Sequence, residues 1–377
     1  MKKKICYFVN SAWYFELHWL ERGKAALDAG YDVYVLANFS DSLLYDRLMS
    51  EGFKCINSAI REKTISPFSF INDTRRTFKI LNLIEPDIIH NITIKPGVIG
   101  SLWAKMKNKR LVYSFVGLGR IFENKKVLYI VIKNFIVLLY RYLFSATDCK
   151  IIFEHKEDQD KVLFLTKVKR DKTIVIDGAG IDVASFSYTE EEKHEKAKVL
   201  FASRMLWSKG LSDLIRAKKI LHLKGVEFDI LVAGIIVEDD SDAIDIKQIE
   251  DWHRSGDIIW LGKRNDINIL IKDVNVVALP SIYPEGIPRI ILEAGAVGRA
   301  CIVYDIGGCS SLIKNGYNGF VVAKQNVNEL AEKLGELIIF DEERYQMGLN
   351  ARENIIKKYS SNIIIKETLS VYEKLLS

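Results

Sequence analysis

The chain contains 377 residues, of which 49% are hydrophobic and 27% are charged, and its formal net charge is +5. This composition excludes an intrinsically disordered protein, and the length suits two domains of roughly 150–190 residues better than one core. The five cysteines are scattered and form no C-x-x-C pair, which favours reduced thiols in a cytosolic setting over disulfides or a zinc site. The basic start MKKKICYFVN lacks the apolar core of a signal peptide.

Short apolar runs separated by amphipathic segments predict parallel strands with crossover helices in the first half of the chain. The predicted strands are Ile5–Val9, Tyr31–Ala37, Ile88–His90, Leu111–Phe115, Cys149–Phe153 and Thr173–Ile176. Helices are predicted at Glu16–Ala29 and Phe70–Glu85. The turn-rich stretch Asp177–Tyr188 predicts an interdomain connector, and we therefore place the N-terminal domain at residues 1–182.

A basic and apolar region at 105–147 lies within this first domain. It contains nine basic residues and one acidic residue, so its local charge is +8. Its most apolar part, Val127–Phe144, is near the length of a membrane span, but polar residues interrupt it. With Lys126, Lys133 and Arg141 on one side, it predicts a helix lying in the plane of an anionic leaflet. A core helix with a polar rim is the alternative.

The second half repeats the alternating pattern. Its predicted strands are Val199–Ala202, Phe228–Ala233, Ile258–Leu261, Val276–Leu279 and Ala300–Tyr304. A helix near Lys209–Leu223 joins the first two strands, and the second domain is placed at residues 183–377. The last predicted helix, at 361–376, can pack on either domain. The fold class is therefore α/β, with two doubly wound, Rossmann-like domains that face each other across a cleft and bind ligands at the carboxyl ends of their strands.

The most informative stretch is Ser281–Val322, SIYPEGIPRIILEAGAVGRACIVYDIGGCSSLIKNGYNGFVV. Pro288 suits the first position of an apolar helix, with Glu285 in the loop before it and Glu293 about five residues into it. Free amides at the helix start suit a diphosphate, and carboxylates on both sides can accept hydrogen bonds from hydroxyls. Phosphate flanked by hydroxyls describes a nucleotide sugar.

A second group of residues follows the strand that ends near Ser203. Arg204 and Lys209 flank a loop before the next predicted helix and can converge on one point. Two fixed cations suit a diphosphate leaving group, whose charge grows as the glycosidic bond breaks. Two unrelated surface cations are the alternative.

The text P-E-G-I-P-R-I-I-L-E-A, with the later G-G and N-G-Y-N-G-F-V-V, resembles the E-x7-E signature of the retaining glycosyltransferases of family 4. Arg204 and Lys209 resemble the R-x4-K pair of the same family. The resemblance implies a GT-B fold, with Glu285 on the transferred sugar as a catalytic residue, Glu293 on the nucleotide ribose and the two cations on the diphosphate. The donor loop that it implies comprises Gly286, Ile287 and Pro288.

His90 is a third candidate, because it ends a predicted strand where the family has a histidine near the sugar and the acceptor. The resemblance therefore implies a catalytic role for His90. Many members carry a second histidine two residues later, whereas this chain has Ile92. A structural histidine with satisfied hydrogen bonds is the alternative.

No metal cofactor is expected. Asp240-Ser241-Asp242 has the D-x-D spacing that holds a metal in other transferases, but its acidic run EDDSDAID is typical of a solvated loop. The implied cations already occupy the place of a metal beside the diphosphate.

The run T-I-K-P-G-V-I-G-S, followed by V-G-L-G, resembles a subgroup that extends polyprenyl-diphosphate-linked oligosaccharides. This resemblance implies a UDP-sugar donor, with an N-acetylhexosamine such as GalNAc in α-1,3 linkage as the first guess. It implies an undecaprenyl-diphosphate-linked saccharide acceptor in the assembly of O-antigen, capsule or protein glycan. The expected location is cytoplasmic, peripheral on the cytosolic face of a bacterial inner membrane.

Two other functions stay open at this point. One is a UDP-sugar epimerase of the same architecture, and the other is a non-catalytic subunit that binds a sugar nucleotide. Nucleic acid is not expected as a partner, because the sequence carries no motif for it and the basic region is too apolar.

Overall fold

Two parallel β-sheets form the framework of the protein. The computed structural model describes residues 2–58, 60, 67–118, 122, 127–145, 148–237, 240–283 and 285–377. The chain divides into two compact units, one of Met1–Ala179 with Asn362–Ser377 and one of Gly180–Ser361. The boundary predicted after residue 182 lies close to this division.

The first unit contains a seven-stranded sheet with the order β3-β2-β1-β4-β5-β6-β7. Its strands are β1 (Lys4–Ser11), β2 (Asp32–Asn38), β3 (Lys54–Asn57), β4 (Ile88–Ile92), β5 (Arg110–Phe115), β6 (Cys149–Phe153) and β7 (Thr173–Val175). Alternate residues of β1 enter separate cores, since Cys6 and Phe8 pack on one face and Tyr7 and Val9 on the other. Burial on both faces is why these strands are continuously apolar in sequence.

A helix lies between each pair of consecutive strands and provides the crossover connection that parallel pairing requires. They are α1 (Ala12–Asp28), α2 (Ser42–Ser50), α3 (Pro67–Ile84), α4 (Ile94–Met106), α5 (Val127–Ser145) and α6 (Lys156–Thr166), with a 3-10 turn at Arg170–Lys172. In the part of the chain that the structure describes, no helix combines the length and the apolar character that crossing a bilayer requires.

The second unit contains a six-stranded sheet with the order β10-β9-β8-β11-β12-β13. Its strands are β8 (Ala197–Arg204), β9 (Phe228–Ile235), β10 (Ile259–Trp260), β11 (Val276–Leu279), β12 (Ala300–Tyr304) and β13 (Gly319–Val322). Its helices are α7 (Leu211–Leu223), α8 (Ile246–Arg254), α9 (Ile267–Lys272), α10 (Arg289–Val297), α11 (Gly307–Leu312), α12 (Val327–Ile339) and α13 (Asp341–Asn354). A 3-10 turn at Trp207–Lys209 and a π-helical turn at Ile355–Tyr359 complete it.

The last helix, α14 (Ser361–Leu376), packs on the first sheet. Its Tyr372 is fully buried, and the hydroxyl of Tyr372 donates a hydrogen bond to the hydroxyl of Tyr7 in β1 (2.8 Å). The helix that the sequence could assign to either domain therefore belongs to the first unit.

The predicted α/β class with two doubly wound sheets is confirmed, and all of the predicted strands are present. Two strands were missed. The edge strand β3 has only four residues, KCIN, and polar residues at both its ends, while β13 begins with glycine in a turn-rich stretch.

The order of the second sheet reverses between β8 and β11, which are adjacent in the sheet although β9 and β10 lie between them in sequence. Loops that follow such a pair of strands diverge and leave room for a ligand at the carboxyl edge of the sheet. The residues after β8 and after β11 are the candidates from the sequence.

Candidate active site

Two loops meet at the carboxyl edge of the second sheet, one after β8 and one after β11. The first forms the 3-10 turn Trp207–Lys209 and ends at Gly210, whose φ of +86° suits glycine. A Cβ at Gly210 would lie 1.9 Å from Pro280 O, so only glycine lets the two loops approach this closely. Gly210 separates this turn from α7, which begins two residues later than predicted.

Backbone hydrogen bonds join the two loops. Ser208 O accepts from the amides of Ile282 (2.7 Å) and Tyr283 (3.2 Å). The position of Lys209, which follows Ser208, is thereby fixed relative to the loop that carries Glu285.

Lys209 and Glu285 form an ion pair, Nζ to Oε1, that is largely withdrawn from solvent. The side chains are 8% and 12% exposed, and Ser281 Oγ donates a further hydrogen bond to the same carboxylate oxygen (2.9 Å). The Lys209 ammonium has three donors, so its bond to Glu285 leaves donors for another anion. Among the described residues, none donates to the second oxygen of Glu285, Oε2.

The loop that contains Gly286, Ile287 and Pro288 rests on the double glycine at the start of α11. A Cβ at Gly308 would lie 1.4 Å from Gly286 O, so the backbone of α11 supports this loop directly. Ile287 and Pro288 are buried. The G-G of the sequence motif therefore allows the loop that follows Glu285 to lie directly on the start of α11.

Helix α10 begins at Arg289, one residue later than predicted, because Pro288 is extended (φ −70°, ψ 122°) and occupies the N-cap position. Pro288 makes no side-chain cap hydrogen bond, and the amide of Ile291 donates to Pro288 O (3.1 Å). The positive end of the helix dipole at this first turn favours an anion.

Glu293 lies in the second turn of α10 and is buried. Arg289, one turn earlier, donates to Glu293 Oε1 from Nε (2.7 Å). Burial raises the pKa of Glu293, and the charge and hydrogen bond of Arg289 act against this effect. Glu285 and Glu293 thus lie on either side of the helix start, as the sequence predicted.

Arg204 is the last residue of β8 and is exposed. Among the described residues, none forms a hydrogen bond or ion pair with its side chain. The structure therefore brings Lys209 and Glu285 together but does not bring Arg204 into contact with them.

His90 does not end its strand. β4 continues to Ile92, and His90 is 0% exposed. Its Nδ1 is 2.7 Å from the Tyr372 hydroxyl and its Nε2 is 2.8 Å from Ser114 Oγ, so both ring nitrogens have buried partners. Burial and the charge of Arg22 hold the pKa of His90 well below its usual value. These are the contacts of the structural alternative, and they leave no ring atom for a substrate.

Asp242 of the D-x-D sequence holds the loop that carries Lys209. Asp242 Oδ2 accepts from Ser208 Oγ and from the amide of Ser208 (3.3 Å), and Asp242 O accepts from the amide of Trp207 (2.8 Å). Sequence reasoning missed this role, and it also missed Ser281. Ser281 had a sequence signal, a short polar side chain four residues before Glu285, whereas Asp242 is distant from Ser208 in sequence and had none.

One group of side chains elsewhere has the chemistry of a metal site. Ligand atoms of Glu192, His194 and Asp273 lie within 4.8 Å of one another. These residues precede β8 and β11 and so lie at the opposite edge of the sheet from Lys209 and Glu285. Lys198 Nζ already neutralises Asp273 at 2.9 and 3.0 Å from its two oxygens.

Comparison with known proteins gives two family matches that together span most of the chain. Residues 4–154 match the model "Glycosyl transferase 4-like", and residues 185–354 match the model "Glycosyl transferases group 1". The crystal structure of a glycosyltransferase from Rickettsia africae superposes with a TM-score of 0.80 and 21% identity, covering 100% of this chain and 99% of the other.

Two curated relatives have activities in their names. The N,N'-diacetylbacillosaminyl-diphospho-undecaprenol alpha-1,3-N-acetylgalactosaminyltransferase of Campylobacter jejuni is 28% identical over 88% of each chain. The UDP-Gal:alpha-D-GlcNAc-diphosphoundecaprenol alpha-1,3-galactosyltransferase of Escherichia coli is 28% identical over 75% of this chain and 74% of its own.

The environment of His90 makes a prediction about stability. His90→Ala leaves the hydroxyl of Ser114 without its partner, removes one of the two partners of the Tyr372 hydroxyl and opens a cavity. It should lower the free energy of unfolding by about 2 kcal/mol or more, measured in urea. In the wild type, the free energy of unfolding should fall as pH drops below about 6.5. The reason is that His90 then binds a proton in the unfolded chain but, with its lowered pKa, stays neutral in the folded protein. The variant should lack this part of the pH dependence.

The exposed His222 supplies the matched control, and His222→Ala should leave the unfolding curve nearly unchanged. A His90→Ala protein as stable as the wild type but without turnover would contradict the structural assignment.

Proposed function

We propose a donor and an acceptor for this chain, which belongs to the glycosyltransferases that join a 4-like domain to a group 1 domain in the GT-B fold. The proposed reaction transfers a sugar from a UDP-sugar to a saccharide linked to undecaprenyl diphosphate. The observation that carries the proposal is the Lys209–Glu285 pair beside the start of α10, at the point where the order of the second sheet reverses.

The donor diphosphate is proposed to bind at the start of α10. The positive end of the α10 dipole, the remaining donors of the Lys209 ammonium and the exposed Arg204 guanidinium supply positive charge there. Because Lys209 is nearly buried, its interaction with a phosphate is less screened than that of a surface lysine. This arrangement stabilises the negative charge that develops on the diphosphate as the glycosidic bond breaks, without a metal cofactor.

The carboxylates of Glu293 and Glu285 are proposed to bind the two ends of the donor, the ribose and the transferred sugar. Glu293 accepts hydrogen bonds from the ribose hydroxyls. Glu285 already has Lys209 and Ser281 on Oε1, so Oε2 accepts from a hydroxyl of the transferred sugar. Glu285 is therefore the proposed catalytic residue.

The relatives support the proposed acceptor and linkage. Both act on sugars attached to diphospho-undecaprenol and form alpha-1,3 linkages, according to their names. UDP-GalNAc and UDP-galactose carry their sugar in α linkage, so an α product from such a donor requires retention of configuration. We propose α-1,3 transfer of an N-acetylhexosamine, GalNAc first, with attack on the face from which the diphosphate leaves.

The two alternative functions that the sequence left open are not favoured. Both family models describe glycosyl transferases, not epimerases or binding subunits. Incubation with a UDP-sugar alone separates the alternatives, because an epimerase would interconvert the sugar without an acceptor.

Substitution of the two glutamates tests the donor site, with each variant serving as the control for the other. Glu285→Ala should lower kcat for transfer to a synthetic polyprenyl-diphosphate sugar by about 100-fold or more and leave UDP affinity nearly unchanged. Glu293→Ala should weaken UDP binding roughly 10- to 100-fold, the value of hydrogen bonds to a charged group, measured by calorimetry.

The pKa of Glu293 sharpens this test. Because burial raises that pKa, Glu293 should become protonated at a pH at which an ordinary glutamate, with a pKa of 4.5, is still ionised. The UDP affinity of the wild type should therefore begin to fall at that higher pH. Glu293→Gln should lack this component. Equal UDP affinity in the wild type and in Glu293→Ala would contradict the ribose assignment.

Peripheral contact with an anionic membrane is a second proposal, and its basis is α5. Apolar side chains along one face of this helix are between 59% and 78% exposed: Val127, Val131, Phe135, Leu138 and Tyr142. They recur every three or four residues and so share a face. The opposite face, with Tyr140 and Phe144, packs in the core of the first unit. One helix thus combines a buried face, as the core-helix alternative expects, with an exposed apolar face, as the membrane alternative expects.

The basic residues are arranged differently from the predicted stripe. Lys126 lies outside the described residues, and Lys133 is half-buried. Arg141 donates to two carbonyl oxygens at the end of α6 (3.1 and 3.2 Å), and Lys105 lies 3.5 Å from the centroid of the Tyr142 ring. An apolar face with cations beside it suits the interface of an anionic bilayer. Such a surface would bring a lipid-linked acceptor to the enzyme on the cytosolic face of an inner membrane.

Vesicle flotation tests this surface. The wild type should float with phosphatidylcholine vesicles that contain phosphatidylglycerol, and Phe135→Glu with Leu138→Glu should abolish flotation, because two carboxylates replace exposed apolar side chains. Leu83→Glu, at an apolar position on α3 that is even more exposed, is the control. Flotation of the double variant at the level of the wild type would contradict the proposal.

A further inference from the structure

The side chains around the Lys209–Glu285 pair form a continuous chain of hydrogen bonds. Asp242 Oδ2 accepts from Ser208, Ser208 O accepts from the loop after β11, and Ser281 in that loop contacts Glu285. This series of hydrogen bonds extends from the D-x-D sequence to the sugar end of the proposed site.

Ser281 lies immediately after β11 and is fully buried. The amide of Tyr283 donates to Ser281 Oγ (3.2 Å), so this oxygen already accepts one bond. Its own hydrogen has two acceptors in reach, Ser208 O at 3.2 Å and Glu285 Oε1 at 2.9 Å. The shorter bond goes to the charged acceptor, as expected for a charge-assisted hydrogen bond. Ser281 therefore fixes Oε1, which leaves Oε2 of Glu285 in a defined direction.

Asp242 acts on the other member of the pair. Its carboxylate holds both the amide and the hydroxyl of Ser208, the residue before Lys209. Around it, the chain at 242–244 pairs with the chain at 205–207, through Trp207 N to Asp242 O (2.8 Å) and Ile244 N to Met205 O (3.0 Å). This short ladder sets the start of the turn from which the Lys209 side chain extends.

We infer that Ser281 and Asp242 are positioning residues, Ser281 for the carboxylate of Glu285 towards the donor sugar and Asp242 for the ammonium of Lys209 towards the diphosphate. The inference rests on the proposed function of that site. It gives the D-x-D sequence a role in this chain that requires no metal: Asp242 orders the protein cation that neutralises the diphosphate.

The two residues are expected to affect different constants. Ser281→Ala should lower kcat about 10-fold, the value of a charge-assisted hydrogen bond, and keep UDP affinity within about twofold of the wild type. In a Glu285→Gln background, the same substitution should have almost no further effect on residual transfer or donor hydrolysis, because Ser281 acts through the Glu285 carboxylate. Ser255→Ala, at an exposed serine after α8, is the control.

Asp242→Ala should weaken UDP binding about 10-fold through Lys209. Asp242→Asn keeps an acceptor for Ser208 and should restore part of that affinity. Hydrogen exchange of the free enzyme provides a readout that needs no ligand. The Ser208 amide, which loses its acceptor in Asp242→Ala, should exchange faster than in the wild type and in Asp242→Asn.

The outcomes separate this inference from the proposed function. Full transfer activity in Ser281→Ala, equal losses with and without the Glu285 carboxylate, or unchanged exchange at Ser208 in Asp242→Ala would overturn the inference while wild-type transfer upheld the function. A wild type that transferred no sugar would refute the function, and faster exchange at Ser208 in Asp242→Ala would then still support the positioning of the turn.

Discussion

The close approach of two loops where the order of the second sheet reverses is the constraint on which the candidate site depends. Parallel strands send β8 and β11 to the same edge, and the reversal makes their connections diverge. Gly210 then lets the first loop touch the backbone of the second, and the amides of the second bond to Ser208 O. Lys209 meets Glu285 as a consequence of this backbone arrangement.

Burial of an ion pair costs free energy, because both charges lose their hydration. The surroundings of the pair offset that cost by giving Glu285 a second donor, Ser281, and by placing the ring of Tyr283 5.0 Å from the Lys209 ammonium. The low local dielectric that makes the pair costly also strengthens any bond that Lys209 makes to a phosphate. A preorganised cation beside the positive end of a helix dipole is well suited to a diphosphate.

The parts of this arrangement that were predictable from sequence are those governed by local pattern. Apolar runs located the strands, and the E-x7-E and R-x4-K spacings placed Glu285, Glu293 and Lys209 at one sheet edge. His90 was misplaced because β4 runs two residues further and because its partner Tyr372 comes from the last helix, far away in sequence. The role of Asp242 was likewise invisible, since its partner Ser208 is brought to it only by the folded loop. The outer face of α5 could not be separated from its inner face, because both are apolar and only packing decides which is covered.

The most direct test of the central claim is a crystal structure of the enzyme with UDP. The account predicts that the diphosphate lies at the first turn of α10, with Lys209 Nζ in contact with a phosphate oxygen and the ribose hydroxyls on Glu293. A diphosphate bound away from the turn that carries Lys209, or a ribose without contact to Glu293, would contradict it.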